Sequence, residues 1–393
     1  MKILLATDTY YPSTNGAAYF THGLAHSLSS LRHEVFVIIP SQTIKNTVIS
    51  ADSVILYGVR SLPLPLYPGF RFSLPLLARK YIHKVIQKVK PDIIHIQNHF
   101  IIGKGALRFA QEHRIPIIGT NHFMPENLVH YLHLPHFLEE KLKQLLWHQF
   151  VEVYSQLRIV TAPTRTAAEL MQRHGLAKEV IPLSCGIDLQ RFNPANNGTY
   201  LRERYHIPDR PIILYVGRLD KEKKIEVILR GLPFILEGID AQLILAGIGA
   251  FRNHLERIVH KLGLHEYVTF TGFVPDEDLP NLYTFADIFV SAGIAELQSI
   301  ATMEAMASAL PVVAVNAVAL PELVHDGENG FLFPDGDSQV FAEKVICILA
   351  DGRLKCEMGQ KSLSLIQAHD MNRVVKQFEL LYSSAIEHAS SQV

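Results

Sequence analysis

Residues 212–224 read Ile212-Ile-Leu-Tyr-Val-Gly-Arg-Leu-Asp-Lys-Glu-Lys-Lys224, and an apolar-periodic run over 224–234 follows at once. Five apolar residues without a polar interruption make a strand buried on both faces. Gly217 ends it, charged residues fill the turn, and the periodic run covers it as a helix. Strand, short loop and helix together are the repeating piece of a parallel sheet, because parallel neighbours need a crossover connection.

The same piece recurs in both directions. Downstream, strands are expected over 242–246, 268–271, 287–291 and 312–315, with helices over 252–262, 278–285 and 300–308. Upstream, strands over 2–6, 34–39, 93–97, 116–120 and 158–162 alternate with helices over 21–31, 76–89, 105–113 and 166–174. Pro194-Ala-Asn-Asn-Gly198 is polar and helix-breaking, and it separates the two runs. The expected fold class is α/β, with two Rossmann-like doubly wound domains facing a cleft. The domains are expected over 1–192 and 193–370, with a long amphipathic helix beginning at 371 and the tail 371–393 packing back on the first domain. A chain of 393 residues suits two domains. Ligands of such sheets bind beyond the carboxyl ends of the strands, so functional residues belong just after strands.

Composition narrows the function. The net charge is −1 and charged residues make up 19%. No global basic balance points to nucleic acid, so an anionic partner must meet a local patch. Cys185, Cys347 and Cys356 form no CxxC pair and suggest neither a disulfide framework nor a thiolate zinc site. The apolar stretch Ile3-Leu-Leu-Ala6 is too short for a signal peptide, and no segment approaches the ~20 apolar residues of a membrane span. A cytoplasmic protein with reduced thiols is expected.

Two clusters carry chemistry. After the strand expected at 287–291, the chain runs Ser291-Ala-Gly-Ile-Ala-Glu296-Leu-Gln-Ser-Ile-Ala-Thr-Met-Glu304-Ala-Met-Ala. Glu296 stands on the loop. Glu304 stands in an apolar helix, where an acid needs a partner. The backbone N–H groups of Leu297, Gln298 and Ser299 form an open helix start that favours a phosphate. Taken blindly, two glutamates are a solvated loop acid and a helix surface acid; the apolar surroundings of Glu304 argue otherwise. In the opening stretch, Arg218 offers a planar donor fork and Lys223 a point charge, which together suit a diphosphate leaving group. On charge alone a solvated cluster would be the default, and position directly after a buried strand decides against it.

The first cluster resembles the Glu-x7-Glu signature of retaining glycosyltransferases of family four, which have the two-Rossmann GT-B architecture. The resemblance implies that Glu296 holds hydroxyls of a donor sugar and Glu304 the ribose of its nucleotide. Leu297-Gln-Ser299 stands where the family usually has Gly-Phe-Gly. Gly217-Arg-Leu…Lys223 is similar to the family's element for the donor diphosphate. Asp8-Thr-Tyr-Tyr-Pro-Ser-Thr-Asn-Gly16 resembles its first glycine loop, which implies that Gly16 lets the backbone approach the donor phosphate. Gly119-Thr-Asn-His122 resembles the loop whose histidine lies against the sugar, although a lone histidine among 20 is usually structural. Gly272-Phe-Val274-Pro resembles the element that holds the base by backbone groups. Residues 162–166, 184–192 and 322–331 also match. The implied catalytic set is Glu296, His122, Arg218 and Lys223. Gly16, Val274, Leu297, Gln298, Ser299 and Glu304 join the two cations in donor binding.

The acceptor is less sharply marked. Residues 61–72 are apolar and stiffened by prolines, and residues 77–90 mix basic and apolar positions at helical spacing. Such a helix can lie on an anionic membrane surface, or simply pack on the sheet. Residues 137–147 form a second amphipathic stretch with the single tryptophan, suited to core packing. Arg71 and Asn121 are the candidate acceptor contacts. The whole set is similar to bacterial diacylglycerol glucosyltransferases. It implies transfer of a hexose from a nucleotide-diphosphate sugar such as UDP-glucose to a lipid acceptor such as diacylglycerol. The alternatives are mannosyl or galactosyl transfer to a glycolipid, phosphoinositide or soluble acceptor, and nucleotide-sugar epimerisation. No cofactor or metal is expected. Asp276-Glu-Asp278 and Asp335-Gly-Asp337 look like metal motifs but fall away from the expected phosphate site.

Overall fold

The computed structural model describes residues 1–13, 15–51, 53–64, 71–129 and 135–391. It divides into two compact units, Met1–Gly186 with Met371–Val393, and Ile187–Asp370. The first contains β1 (Lys2–Ala6), α1 (Gly16–Ser30), β2 (Glu34–Pro40), β3 (Thr47–Ala51), β4 (Val54–Val59), β5 (Leu62–Pro63), β6 (Arg71–Phe72) and α2 (Pro75–Val89). It continues through β7 (Ile93–Ile96), α3 (Ile101–His113), β8 (Ile117–Thr120), α4 (Glu126–Val129), α5 (His136–Tyr154), β9 (Ile159–Ala162), α6 (Arg165–Arg173) and β10 (Ile181–Pro182). The second contains α7 (Leu201–Arg204), β11 (Ile212–Val216), α8 (Ile225–Leu236), β12 (Gln242–Ala246), α9 (Arg252–Leu262), β13 (Val268–Gly272) and α10 (Leu279–Phe285). It ends with β14 (Ile288–Ser291), α11 (Ile300–Ala307), β15 (Val312–Val315), β16 (Gly330–Phe333), α12 (Ser338–Ala350) and α13 (Gly352–Ile366), before α14 (Met371–Ser390) returns to the first unit.

Both units are doubly wound. The first sheet has the order β10-β9-β8-β7-β1-β2-β4-β3, parallel except for the antiparallel β3–β4 pair at its edge. The second has the order β13-β12-β11-β14-β15-β16 and is parallel throughout. Central strands are buried along nearly their whole length, which explains their unbroken apolar runs. In each sheet the strand order reverses at one place, between β1 and β7 and between β11 and β14. The crevice for a ligand opens at such a switch point, outside the carboxyl ends of the strands.

Two features exceed the expectation. The β3–β4 hairpin occupies a stretch where no strand was expected; β3 is an edge strand with Val48 and Ile49 exposed, so its apolar residues do not alternate inward. The sixth strand, β16, and the helices α12 and α13 complete the second unit. The tail helix buries Val374, Val375, Phe378, Tyr382 and Ala385, spaced at one helical face, and packs on α1. Of the proline-stiffened stretch 61–72, residues 65–70 lie outside the described residues.

Candidate active site

The second unit assembles its site at the β11–β14 switch point. Gly217 follows β11 with φ 153°, and Gly247 follows β12 with φ 144°. The two turns are stitched together: Leu219 N donates to the Ile248 carbonyl at 2.9 Å, and Phe251 N to the Leu219 carbonyl at 2.8 Å. Asp220, almost fully buried, joins both turns to Arg218. One carboxylate oxygen accepts from Ala250 N at 3.1 Å and the other from Arg218 Nη1. Glu222 Oε1 accepts from Arg218 Nη2 at 2.7 Å. Two buried carboxylates therefore aim the guanidinium, whose donor geometry is fixed by its planarity.

Lys223 crosses the switch point. Its Nζ lies 2.6 Å from Glu296 Oε1, and both side chains are 16% exposed. The loop after β14 is held beneath this pair, with Ile294 N donating to the Glu222 carbonyl at 3.2 Å. A Cβ at Gly293 would stand 3.1 Å from Glu296 Oε1, so the chain runs directly under the ion pair. Beyond it, Ser299 caps α11: its Oγ accepts from Thr302 N and Thr302 Oγ1. The helix opens at Ile300, and Leu297 and Gln298 form the buried loop before the cap. The helix thus begins one residue past the Leu297–Ser299 run read from the sequence.

Glu304 sits in the fifth position of α11 and is 8% exposed. Burial pushes its carboxyl up to about 7, while a hydrogen bond from Tyr283 Oη, 2.7 Å from Oε2, opposes that shift. Val274 is buried just past the end of β13. Both Asp-x-Asp strings are occupied by protein partners. Asp278 accepts from Tyr200 and Arg204, Asp335 from Lys224, and Asp337 caps α12. Among the described residues no group of three or more His, Cys, Asp or Glu could hold a metal.

The first unit has its own cluster beyond β1, β7 and β8. Asn15 caps α1, accepting from Ala18 N at 3.0 Å, and Gly16 is the first residue of that helix. Asp8 accepts from Ile102 N and Gly103 N at the start of α3, and burial raises its pKa to about 6. His122 contacts Gln97 Oε1 through Nε2 at 3.1 Å and Cys185 Sγ through Nδ1 at 3.8 Å, and its ring packs on Phe20. Burial drives its pKa down to about 3, so the imidazole is neutral and engaged at both nitrogens. Such a ring can orient a neighbour but is not set up to carry a proton at neutral pH.

Both candidate acceptor contacts are engaged within the protein. Asn121 is fully buried; its side chain closes on the backbone of Phe123, accepting at 3.0 Å and donating at 3.1 Å. It shapes the His122 loop. Arg71 donates to the Ser41 carbonyl, the Ser61 hydroxyl and the Ser61 carbonyl at 2.7–3.0 Å. These bonds, through Nε and Nη2, tie β6 to the sheet, and Arg71 also borders a recess shared with Asp8, Tyr10 and Gln42. Asp220, Glu222, Tyr283 and Gln97 were not singled out from the sequence. The first two stood in the quoted string, and alternation of charge within it was the available signal; nothing local marks Tyr283 or Gln97.

Residues 14–191 match the model of Glycosyltransferase Family 4, and residues 199–364 match that of Glycosyl transferases group 1. An alpha-monoglucosyldiacylglycerol synthase of Streptococcus pneumoniae is 27% identical over 389 residues, 97% of this chain and 86% of that protein. The chain belongs to glycosyltransferase family four.

A second relative, a GDP-mannose-dependent alpha-mannosyltransferase of Corynebacterium glutamicum, is 25% identical over 84% of this chain and 76% of that protein. The fold is shared with a sucrose-phosphate synthase of Thermosynechococcus elongatus, at a TM-score of 0.83 and 21% identity over 99% and 100% of the two chains. Anabaena HepE, solved in complex with UDP-glucose, gives a TM-score of 0.78 at 20% identity over 98% and 100%. These glycosyltransferase structures place the chain in the GT-B fold class. Family membership makes it a hexosyltransferase, and the epimerase alternative finds no support among the relatives. Among the described residues no helix is long and apolar enough to cross a membrane.

Proposed function

We propose that this glycosyltransferase moves glucose, with retention at the anomeric carbon, from UDP-glucose to a lipid acceptor of the diacylglycerol type. The observation that carries the reading is the 2.6 Å contact of Lys223 with Glu296 across the β11–β14 switch point. It puts a cation for a diphosphate beside a carboxylate for sugar hydroxyls. Lys223 has three donors, so the ammonium can hold Glu296 and a phosphate oxygen together. Arg218, aimed by Asp220 and Glu222, offers the second positive group to the departing diphosphate. The start of α11 adds backbone N–H groups, and Glu304 takes the ribose. Gly16 and Val274 contribute backbone contacts. In this mechanism the acceptor attacks the face from which the diphosphate leaves, and a phosphate oxygen takes its proton. No second carboxylate is needed as in glycosidases, and no metal is required.

Support for the glucosyl and diacylglycerol assignment comes from the synthase relative; the mannosyltransferase relative makes GDP-mannose the donor to test beside it. A lipid acceptor fits the surface of the first unit, where Phe72, Leu74, Leu76 and Leu77 are 41–80% exposed next to Arg79 and Lys80. We assign this face to an anionic membrane surface at the cytoplasmic side. The reading is tested by offering radiolabelled UDP-glucose, UDP-galactose and GDP-mannose with diacylglycerol vesicles in buffer containing EDTA. UDP-glucose is expected to yield an α-glucosyl lipid, and Glu296→Ala to lower turnover by orders of magnitude at an unchanged melting temperature. A β-linked product, or full activity in the variant, would reject the mechanism. Preferred turnover of another donor would reject the glucosyl assignment alone.

A further inference from the structure

Tyr283 lies fully buried in α10, its ring centroid 5.9 Å from that of Phe192 and 5.9 Å from that of Phe289. α10 is anchored at its start, where Asp278 accepts from Tyr200 Oη and Arg204 Nη1 and so ties α7 to it. Asn281 adds a bond to Tyr200 Oη at 3.2 Å. The phenol is thus held by packing on two sides and by its helix, and its hydroxyl reaches Glu304 Oε2 at 2.7 Å. The charged groups that face the Glu304 carboxyl are Arg191, which attracts its charge, and Asp276, which repels it. These two are joined through Arg191 Nη2 and the Asp276 carbonyl at 2.6 Å.

A carboxylate offers about four lone-pair positions. One is taken by the Tyr283 hydroxyl, and the orientation this imposes leaves the other oxygen to accept from a ligand. We propose that Tyr283 is a positioning residue for donor recognition: its hydroxyl sets the rotamer of Glu304 and keeps that carboxylate an acceptor for the ribose diol. The proposal rests on the assignment of Glu304 to the ribose. It gives α10, which carries no residue of the expected site, a part in nucleotide affinity. The electrostatics agree with the geometry. Burial favours the neutral acid, and the Tyr283 bond works against burial. Without the hydroxyl, Glu304 takes up its proton at higher pH, and a neutral acid is the poorer acceptor.

The test is calorimetric titration of the full chain with UDP and with GDP, continued from pH 6 to 9 with the tighter binder. Tyr283→Phe is expected to weaken binding about tenfold near neutral pH, a typical loss for a hydrogen bond to a charged group. The loss should shrink toward pH 9, where Glu304 is ionised in both proteins. Because the diphosphate titrates identically in both, the difference between variant and parent isolates Glu304. In the Glu304→Gln background, Tyr283→Phe should change affinity less than twofold. This cycle also removes any general packing defect of the phenylalanine, which would persist in that background. Equal affinity of Tyr283→Phe and parent at every pH would overturn the positioning role, as would a full tenfold loss retained in the Glu304→Gln background. If Glu304→Gln itself binds as the parent does, or neither nucleotide binds, the ribose assignment fails first.

Discussion

Gly247 is placed where a side chain cannot go. A Cβ there would stand 1.9 Å from the carbonyl oxygen of Gly217, and the positive φ of 144° adds strain for any other residue. The backbones of two βα turns meet at this point, which lets Asp220 reach both Ala250 N and Arg218. We expect Gly247→Ala to destabilise the protein by about 2 kcal/mol or more, as overpacking against backbone does, and to weaken nucleotide binding by disturbing Arg218. Urea denaturation with a binding titration checks this; an unchanged midpoint would show that the turns can part freely. In sequence, Gly247-Ile-Gly249 follows a strand, lacks the third glycine of a dinucleotide fingerprint and so reads as a plain turn. That reading identified the turn and missed its purpose, because a glycine needed for close approach of two distant loops looks the same in sequence as one needed for a bend.

At the scale of elements, α2 combines a buried face of Ala78, Ile82, Val85, Ile86 and Val89 with an exposed start at Leu76 and Leu77. The periodic pattern announced the helix and its packing face. It did not say that the leading leucines stay uncovered, since periodicity places residues on a face and only the neighbours decide what covers it. If these leucines enter a membrane interface, Leu76→Glu with Leu77→Glu should reduce binding to phosphatidylglycerol vesicles at least about tenfold. The variant should melt close to the parent, because Leu76 is 80% and Leu77 41% exposed and neither belongs to the buried face of the helix. Vesicle sedimentation that does not change would remove the membrane from the reading. The tail helix behaves differently. α14 was legible as amphipathic, and the individual contact it makes was not: Tyr382 bonds His95 Nδ1 at 2.8 Å across 287 residues of sequence.

For the molecule as a whole, acid is the informative stress. His95 and His99 are fully buried and His122 partly so, and burial holds all three at about 3, well below their ordinary value near 6.5. A depressed folded pKa contributes stability that is complete above the unfolded value and is lost as pH falls toward the folded one. Asp8 acts in the opposite sense. Raised to about 6 from 3.8, its contribution is complete below pH 4 and is lost as pH rises through 6. Three large downward shifts outweigh one upward shift, so the first unit should lose stability steadily from pH 6.5 to 4. The single tryptophan, Trp147, is buried in that unit and reports on it. Its fluorescence midpoint in urea is expected to fall over this window; a midpoint that holds or rises would mean that the histidines open to water before they protonate.

β3, β4 and β16 were not legible in the sequence alone, whereas the central parallel strands of both sheets and the positions of Arg218, Lys223, Glu296 and Glu304 along the chain were. Each is a local property, set by apolar runs of strand length and by polar residues that follow them directly. Only the tertiary structure decided that Lys223 meets Glu296, that Tyr283 meets Glu304, and that Asn121 and Arg71 spend their polar groups on the fold. Those contacts join residues far apart in the chain, and a hydrogen bond or ion pair depends on distance in space, which packing of the elements supplies and order along the chain does not.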